Sequence, residues 1–349
     1  MPLLRNILGR NLVKRISIDL GSANVLVYVA GQGIVINEPS VVAINNRNEQ
    51  ILAVGQDAKV MIGRTPPYIT ISKPLVDGVI SDFEVTEKMI KHFIQKVNRE
   101  GFAFMSRAMV LVGIPLDITE VERKAVEDAV IGAGAKDVFL IDEPMAAAIG
   151  AGLQVLEPQA SMIVDIGGGT TDIAVISLGG IVTWKSLKLA GDKLNDVIIQ
   201  YIREKYNLLL GEKTSEQIKI GIGSALPLDE KMQMTIRGRD LMSGLPKEIT
   251  ISDDEIRDAM LRPIKTIVEN IKGTIEATPP ELVADLYQRG MVITGGGALL
   301  RNIDKLIARE TKIPVHMADD PLTTVVRGAG LVLEDFGTFG SLITGKGSA

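Results

Sequence analysis

Two short glycine turns, each behind an aspartate that ends an apolar run, constrain this chain more than any other feature. The first is Ile18-Asp19-Leu20-Gly21-Ser22, set between Arg15 to Leu20 and Val25 to Val29. The second is Val164-Asp165-Ile166-Gly167-Gly168-Gly169-Thr170-Thr171-Asp172, set between Ser161 to Ile166 and Ile173 to Ile176. β-Branched runs on both sides of a glycine turn predict tight antiparallel hairpins, and two similar hairpins predict two similar half-molecules. Glycine lets the backbone turn with its N–H groups exposed, which makes a concave anion site suited to a phosphate. The aspartate closing each strand is placed to hold Mg²⁺, which takes few carboxylates and completes its shell with water and phosphate oxygens. Two such loops facing each other across a cleft would clamp one nucleotide.

The chain has 349 residues, 46% of them hydrophobic, enough for two lobes with sizeable cores. A net charge of -5 and 4% aromatic residues supply neither a basic field nor stacking platforms, so nucleic acid is not expected as a ligand. The absence of cysteine removes disulfides, thiolate metal sites and a cysteine nucleophile, and suits a cytosolic protein. The two histidines, His92 and His316, are far apart in sequence and read as structural or surface residues.

No apolar run reaches the ~18–20 residues of a spanning helix. The first residues instead show helical spacing: Leu3, Leu4, Ile7, Leu8 and Leu12 share one half of a helical wheel, and Arg5, Asn6, Gly9 and Arg10 the other. Such a stripe with basic flanks can lie in a lipid headgroup layer, or it can be a frayed end or a helix packed on the body.

Further along, Gly33 to Ile44 and Gln50 to Val54 read as strands of a small inserted lobe, and Val85 to Arg99 as a helix. Ala108 to Ile114 and Val138 to Ile141 read as buried strands, and Thr119 with Glu122 as a capping box opening a helix to Gly132. Met145 to Gly152 reads as a small-residue helix. The second half repeats the plan. After its hairpin come a strand, Val182 to Leu189, and a helix, Lys193 to Tyr206. An insertion follows, with a helix from Thr214 and the strands Met232 to Arg237 and Lys247 to Ile251. Ser252 with Glu255 caps a helix towards Glu276, with a bend or break expected at Pro263. Val292 to Gly297 reads as a strand feeding a glycine turn, with a helix from Leu299 to Glu310. The tail from Gly337 carries no clear pattern.

The glycine sites at Asp19 to Asn24, Asp165 to Asp172 and Gly295 to Gly297, with helices at Met145 to Gly152 and Val325 to Leu333, occur in the order of the actin and heat-shock-chaperone ATPase superfamily. At finer grain the chain resembles the MreB family of bacterial actins over nearly its whole length. The matches include Gly63-Arg64-Thr65-Pro66, Asp77-Gly78-Val79-Ile80, Ile141-Asp142-Glu143-Pro144, Lys205-Tyr206-Asn207 and the stretch from Gly290 to Asn302. No G-x-x-x-x-G-K-[ST] or G-x-G-x-x-G run competes with that reading. The resemblance implies an α/β, actin-like fold, two related lobes each with a smaller inserted subdomain around a nucleotide cleft. It divides the chain into 1–33, 77–150 and 331–349 with 34–76 inserted, and 151–192 and 252–330 with 193–251 inserted.

The resemblance further implies ATP with Mg²⁺, the ion held by Asp19 and Asp165 largely through water. Gly21, Ser22, Ala23 and Asn24 would surround the phosphates with Gly167, Gly168, Gly169 and Thr170. Glu143 is expected to orient the attacking water and Thr171 to contact the γ-phosphate, with Asp165 completing the catalytic set, although Glu143 at this position also suits a helix cap. Glu216 and Lys219 match a pair that borders the adenosine, beside Gly191, Asp192, Gly295, Gly296 and Gly297. Read without the family, they are a solvated i, i+3 pair. Val76 stands where many members have lysine, so no lysine role carries over. Phe102, Phe104 and Met105 match a loop that dips into the bilayer beside Leu3, Leu4, Ile7 and Leu8, and without the family they read as core.

These implications describe a slow ATPase forming head-to-tail protofilaments, expected to pair, on the anionic inner face of the cell membrane, cytoplasmic and peripheral. Its partners would be itself and the membrane proteins of cell-wall elongation, with rod shape the result. Two alternatives stay open: a monomeric ATPase or chaperone-like nucleotide switch, for which no peptide-binding domain is seen, and a plasmid-segregating actin.

Overall fold

Both glycine turns close hairpins, and each hairpin grows into a sheet with the same strand order. The computed structural model describes residues 14–99 and 108–348. The chain forms two units, one of Met1–Glu157, Ser177–Ile181 and Thr323–Ala349, the other of Pro158–Ile176 and Val182–Leu322.

In the first unit Arg15–Leu20 pairs antiparallel with Asn24–Val29, which pairs with Gly33–Pro39. On its other side Arg15–Leu20 runs parallel to Ala108–Ile114, and that strand parallel to Ala135–Asp142. In the second unit Ser161–Ile166 pairs antiparallel with Thr171–Ser177, which neighbours Gly180–Leu187. Its other side runs parallel to Met291–Thr294, and that strand parallel to Val315–Met317. The repeat expected from the two turns is therefore present as topology. Strands in parallel pairs are covered on both faces, which is why they read as unbroken apolar runs: Val110, Val112, Ile114 and Leu140, like Val164 and Ile293, are fully buried.

The helices follow local rules. Phe83–Arg99 buries Met89, Ile90, Phe93, Ile94 and Val97. Both capping boxes form, Thr119 with Glu122 opening Glu120–Gly132 and Ser252 with Glu255 opening Asp253–Glu276. The second of these helices runs unbroken through Pro263. The proline gives no N–H to the Ala259 carbonyl, but it sits on the buried face with Met260 and Ile264, so packing holds the helix where propensity would interrupt it. The helices Glu143–Gly150 and Thr324–Glu334 cross within the first unit at Gly150 and Gly328.

Three further expectations change. The strand expected over Gly33 to Ile44 is divided at Ser40 and Val41: Gly33–Pro39 belongs to the main sheet, and only Val42–Asn45 enters the inserted sheet with Gln50–Val54 and Ile69–Ser72. That sheet carries its own small core of Val41, Ala43 and Ala58. The helix expected from Leu299 begins instead at Ile303, after a 3₁₀ turn over Gly296–Leu299. The intervening Arg301 bridges to Ser224 and donates to the Ile220 carbonyl, and Asn302 adopts a left-handed conformation, φ 60°. The patternless tail forms a strand, Thr344–Ser348, antiparallel to Ala135–Asp142 at the edge of the first sheet. Among the described residues no helix is long and apolar enough to cross a membrane.

Candidate functional site

In the second unit the loop after Asp165 is gripped from two sides. Asp165 lies beside Thr294 in the parallel register, so the glycines that follow Thr294 reach the base of the loop. Gly295 has φ +81°, and a Cβ there would collide with the Asp165 carboxylate and the Ile166 backbone. Gly297 lies equally close to Ile166, and Gly296 between them packs against Leu322. The Gly167 N–H donates to the Thr170 carbonyl at 2.9 Å and closes the turn, with Gly168 and Gly169 at its tip.

From behind, the Gly191 N–H donates to the Gly167 carbonyl at 3.1 Å and the Asp192 N–H to the Gly168 carbonyl at 2.8 Å. The helix Gly191–Tyr206 therefore starts on the loop itself. Lys219, on the helix Glu212–Ile222, donates its amine to the Gly191 carbonyl at 2.7 Å. Burial holds that amine below the usual lysine range, while the Asp192, Glu216 and Glu212 carboxylates favour its charge. Lys219 is thus not a solvated surface residue, since its amine reaches inward to the Gly191 carbonyl. Thr170 is buried, and Thr171 is fully buried with its hydroxyl donating to the Leu189 carbonyl at 2.7 Å. Its proton is committed there, which leaves the oxygen as an acceptor.

In the first unit Asp19 pairs with Leu26 across the hairpin, and burial pushes its carboxyl up to about 7. A Cβ on Gly21 would lie 2.8 Å from the Asn24 carbonyl oxygen, so the turn closes tightly there. The Ser22 hydroxyl accepts from the Gly78 N–H at 2.9 Å, in a turn whose Asp77 and Gly78 have φ of 50° and 77°. Ala23 accepts from the Ser40 N–H at 3.0 Å. Glu143 follows the strand Ala135–Asp142 directly, and its Cγ would lie 3.2 Å from a Cβ on Gly113 in the adjacent strand. Asp19, Gly113 and Glu143 thus stand at the carboxyl ends of three adjacent parallel strands, where α/β sheets bind ligands.

Each unit therefore gathers its own share of the expected residues. Leu3, Leu4, Ile7 and Leu8, and Phe102, Phe104 and Met105, lie outside the described residues. Ser40, which touches the first loop, escaped the sequence reading because a lone serine at a strand end carries no pattern, and Gly78, quoted there within the family match, was given no role at the loop. Among the described residues no three acidic or histidine side chains cluster as a metal cage. Single aspartates beside glycine loops instead suit Mg²⁺, and the raised Asp19 carboxyl is one whose charge a cation would restore.

A meander of three strands flanked by two parallel ones, present twice with an acid-glycine hairpin in each, defines an actin-like fold. A family model described as MreB/Mbl protein matches residues 13–341, and the chain belongs to that family. It is 53% identical over 323 residues to the cell shape-determining protein MreB of Escherichia coli (strain K12), covering 91% of this chain and 93% of that one. It is 50% identical over 320 residues to the cell shape-determining protein Mbl of Bacillus subtilis (strain 168), covering 92% and 96%. Among solved structures, MreB5 of Spiroplasma citri bound to AMPPNP matches with a TM-score of 0.89 at 42% identity, covering 93% of this chain and 97% of that one. The MamK double helical filament, at 22% identity and a TM-score of 0.77, shares the fold.

Proposed function

We propose that this protein is an ATP-dependent, membrane-associated, filament-forming actin that organises cell-wall elongation and rod shape. The observation that carries the reading is the loop architecture of the two units, each an aspartate followed by a glycine turn whose carbonyls are tied back by hydrogen bonds. Its support is the 42% identical MreB5 structure with AMPPNP and relatives described as cell shape-determining.

In this reading the N–H groups of Gly21, Ser22, Ala23 and Asn24, and of Gly167, Gly168, Gly169 and Thr170, bind the phosphates. Asp19 and Asp165 would hold Mg²⁺ largely through water, and the ion, when bound, neutralises charge on the phosphates. Gly191, Asp192, Glu216, Lys219 and Gly295 to Gly297 border the nucleoside. Glu143 orients the water, and Thr171, its proton already given to Leu189, accepts a hydrogen bond from it. Hydrolysis sets filament lifetime. Subunits add head to tail, a heterologous contact that leaves the polymer open, and the four-subdomain division follows the family. The protein sits on the inner face of the membrane through its amino-terminal residues and the 102–105 segment.

The test is sedimentation with acidic liposomes, with and without Mg-ATP, beside a copy lacking residues 1–10. Filaments on lipid that detach in the truncated copy support the reading. Monomers that hydrolyse ATP without assembling or binding lipid refute it in favour of a soluble nucleotide switch, and filaments indifferent to lipid favour a segregating actin.

A further inference from the structure

The two phosphate loops are held from behind in the same way, but by different chemistry. In the second unit the chain leaves the third strand of the meander, Gly180–Leu187, and the N–H groups of Gly191 and Asp192 fasten the carbonyls of Gly167 and Gly168. In the first unit the chain leaves the third strand, Gly33–Pro39, and Ser40 performs both fastenings alone. Its hydroxyl donates to the Gly21 carbonyl and its N–H to the Ala23 carbonyl, the latter at 3.0 Å. Ser40 is fully buried.

A trans peptide is planar, with its C=O and the following N–H pointing in opposite directions. Holding the Gly21 carbonyl therefore sets the direction of the Ser22 N–H, and holding the Ala23 carbonyl sets that of the Asn24 N–H. Gly167 and Gly168 are held likewise, which sets the N–H groups of Gly168 and Gly169. A glycine-containing turn without such fastening samples many peptide orientations, and ordering it would be charged against ligand binding.

We infer that Ser40 is a positioning residue for nucleotide binding, aiming the Ser22 and Asn24 N–H groups of the first loop at the phosphates. Because the inserted sheet begins at Val42, two residues on, Ser40 also joins that sheet to the loop, so a loop shift on binding phosphate is passed to the insertion. The inference rests on the nucleotide reading above and adds to it a residue and a route.

The test compares wild type with Ser40→Ala for MgATP, MgADP and adenosine, by displacement of a fluorescent ATP analogue. Loss of one preorganising hydrogen bond should weaken MgATP and MgADP about three- to tenfold while leaving adenosine unchanged, and Ser40→Thr, which keeps the donor, should recover most of the loss. An equal loss for all three ligands means that Ser40 only packs, and no loss for any means that the loop is ordered without it; either result overturns the inference. If Ser40→Ala fails to fold, Ser40→Cys, of similar volume with a far weaker donor, takes its place in the comparison, with the same results supporting or overturning the role. Wild-type protein that binds none of the three ligands overturns the nucleotide reading itself, whereas wild-type binding matched by the variant overturns the role of Ser40 alone.

Discussion

Gly150 and Gly328 meet with no side chain between them: a Cβ on Gly328 would lie 2.7 Å from the Gly150 nitrogen, and one on Gly150 would lie 2.9 Å from the Gly328 nitrogen. The carbonyls of Ala146 and Thr324 stand closer still. Two helices can approach this nearly only where both present glycine. Gly328→Ala must push the helices apart through backbone rather than a yielding side chain, so a loss of roughly 3 kcal/mol, the upper end for overpacking, is expected. A urea denaturation midpoint within error of wild type would contradict this close crossing.

Glu143 stands at a helix start over Gly113, and a neutral amide of the same shape keeps its volume there. Glu143→Gln should lower phosphate release about 100-fold with ATP affinity unchanged, as for loss of a residue that orients the attacking water. A matching fall in affinity would instead make Glu143 part of the binding surface.

Glu255 carries a pH dependence of stability. Burial pushes its carboxyl up, but hydrogen bonds from Lys205, Tyr206 and the Ser252 N–H and hydroxyl outweigh burial and hold it at about 2, against an ordinary 4.5. A group with a depressed folded pKa stabilises fully above its unfolded value and loses that contribution as pH falls through the folded one. The melting temperature should therefore decline between about pH 4.5 and 2, and Glu255→Gln should shrink the decline while lowering stability at neutral pH. Equal slopes for the two proteins in a thermal scan across this window would count against it.

The strand Thr344–Ser348 covers the edge of Ala135–Asp142. Removing residues 344–349 leaves that strand with unpaired N–H and C=O groups, a template for pairing with other chains. The shortened protein should scatter light at concentrations where the full chain stays clear. Unchanged scattering would mean that the edge is protected without the tail.

Much of this architecture was legible because its causes are local. Thr119-Glu122 and Ser252-Glu255 satisfy their own helix ends within four residues, so their capping boxes could be read directly. The Asp19 and Asp165 hairpins were equally plain, since a glycine turn between β-branched runs has few other solutions. Pro263 misled because its cost is local while the packing of Met260 and Ile264 that overrides it is not. The start of the helix at Ile303 was displaced by Arg301, whose partners lie about eighty residues earlier.

By itself, then, the sequence determined the two hairpins, the alternation of strand and helix, and the residue types that phosphate and Mg²⁺ chemistry require, because glycine, aspartate and capping residues act over a few bonds. Tertiary structure alone decided that Ser40 and Gly191 fasten the two loops, that Lys219 reaches the Gly191 carbonyl, and that a tail rich in glycine, serine and threonine becomes a strand. Each of those outcomes ends on a backbone group, which every residue carries alike, and only the folded chain selects which donors and acceptors meet.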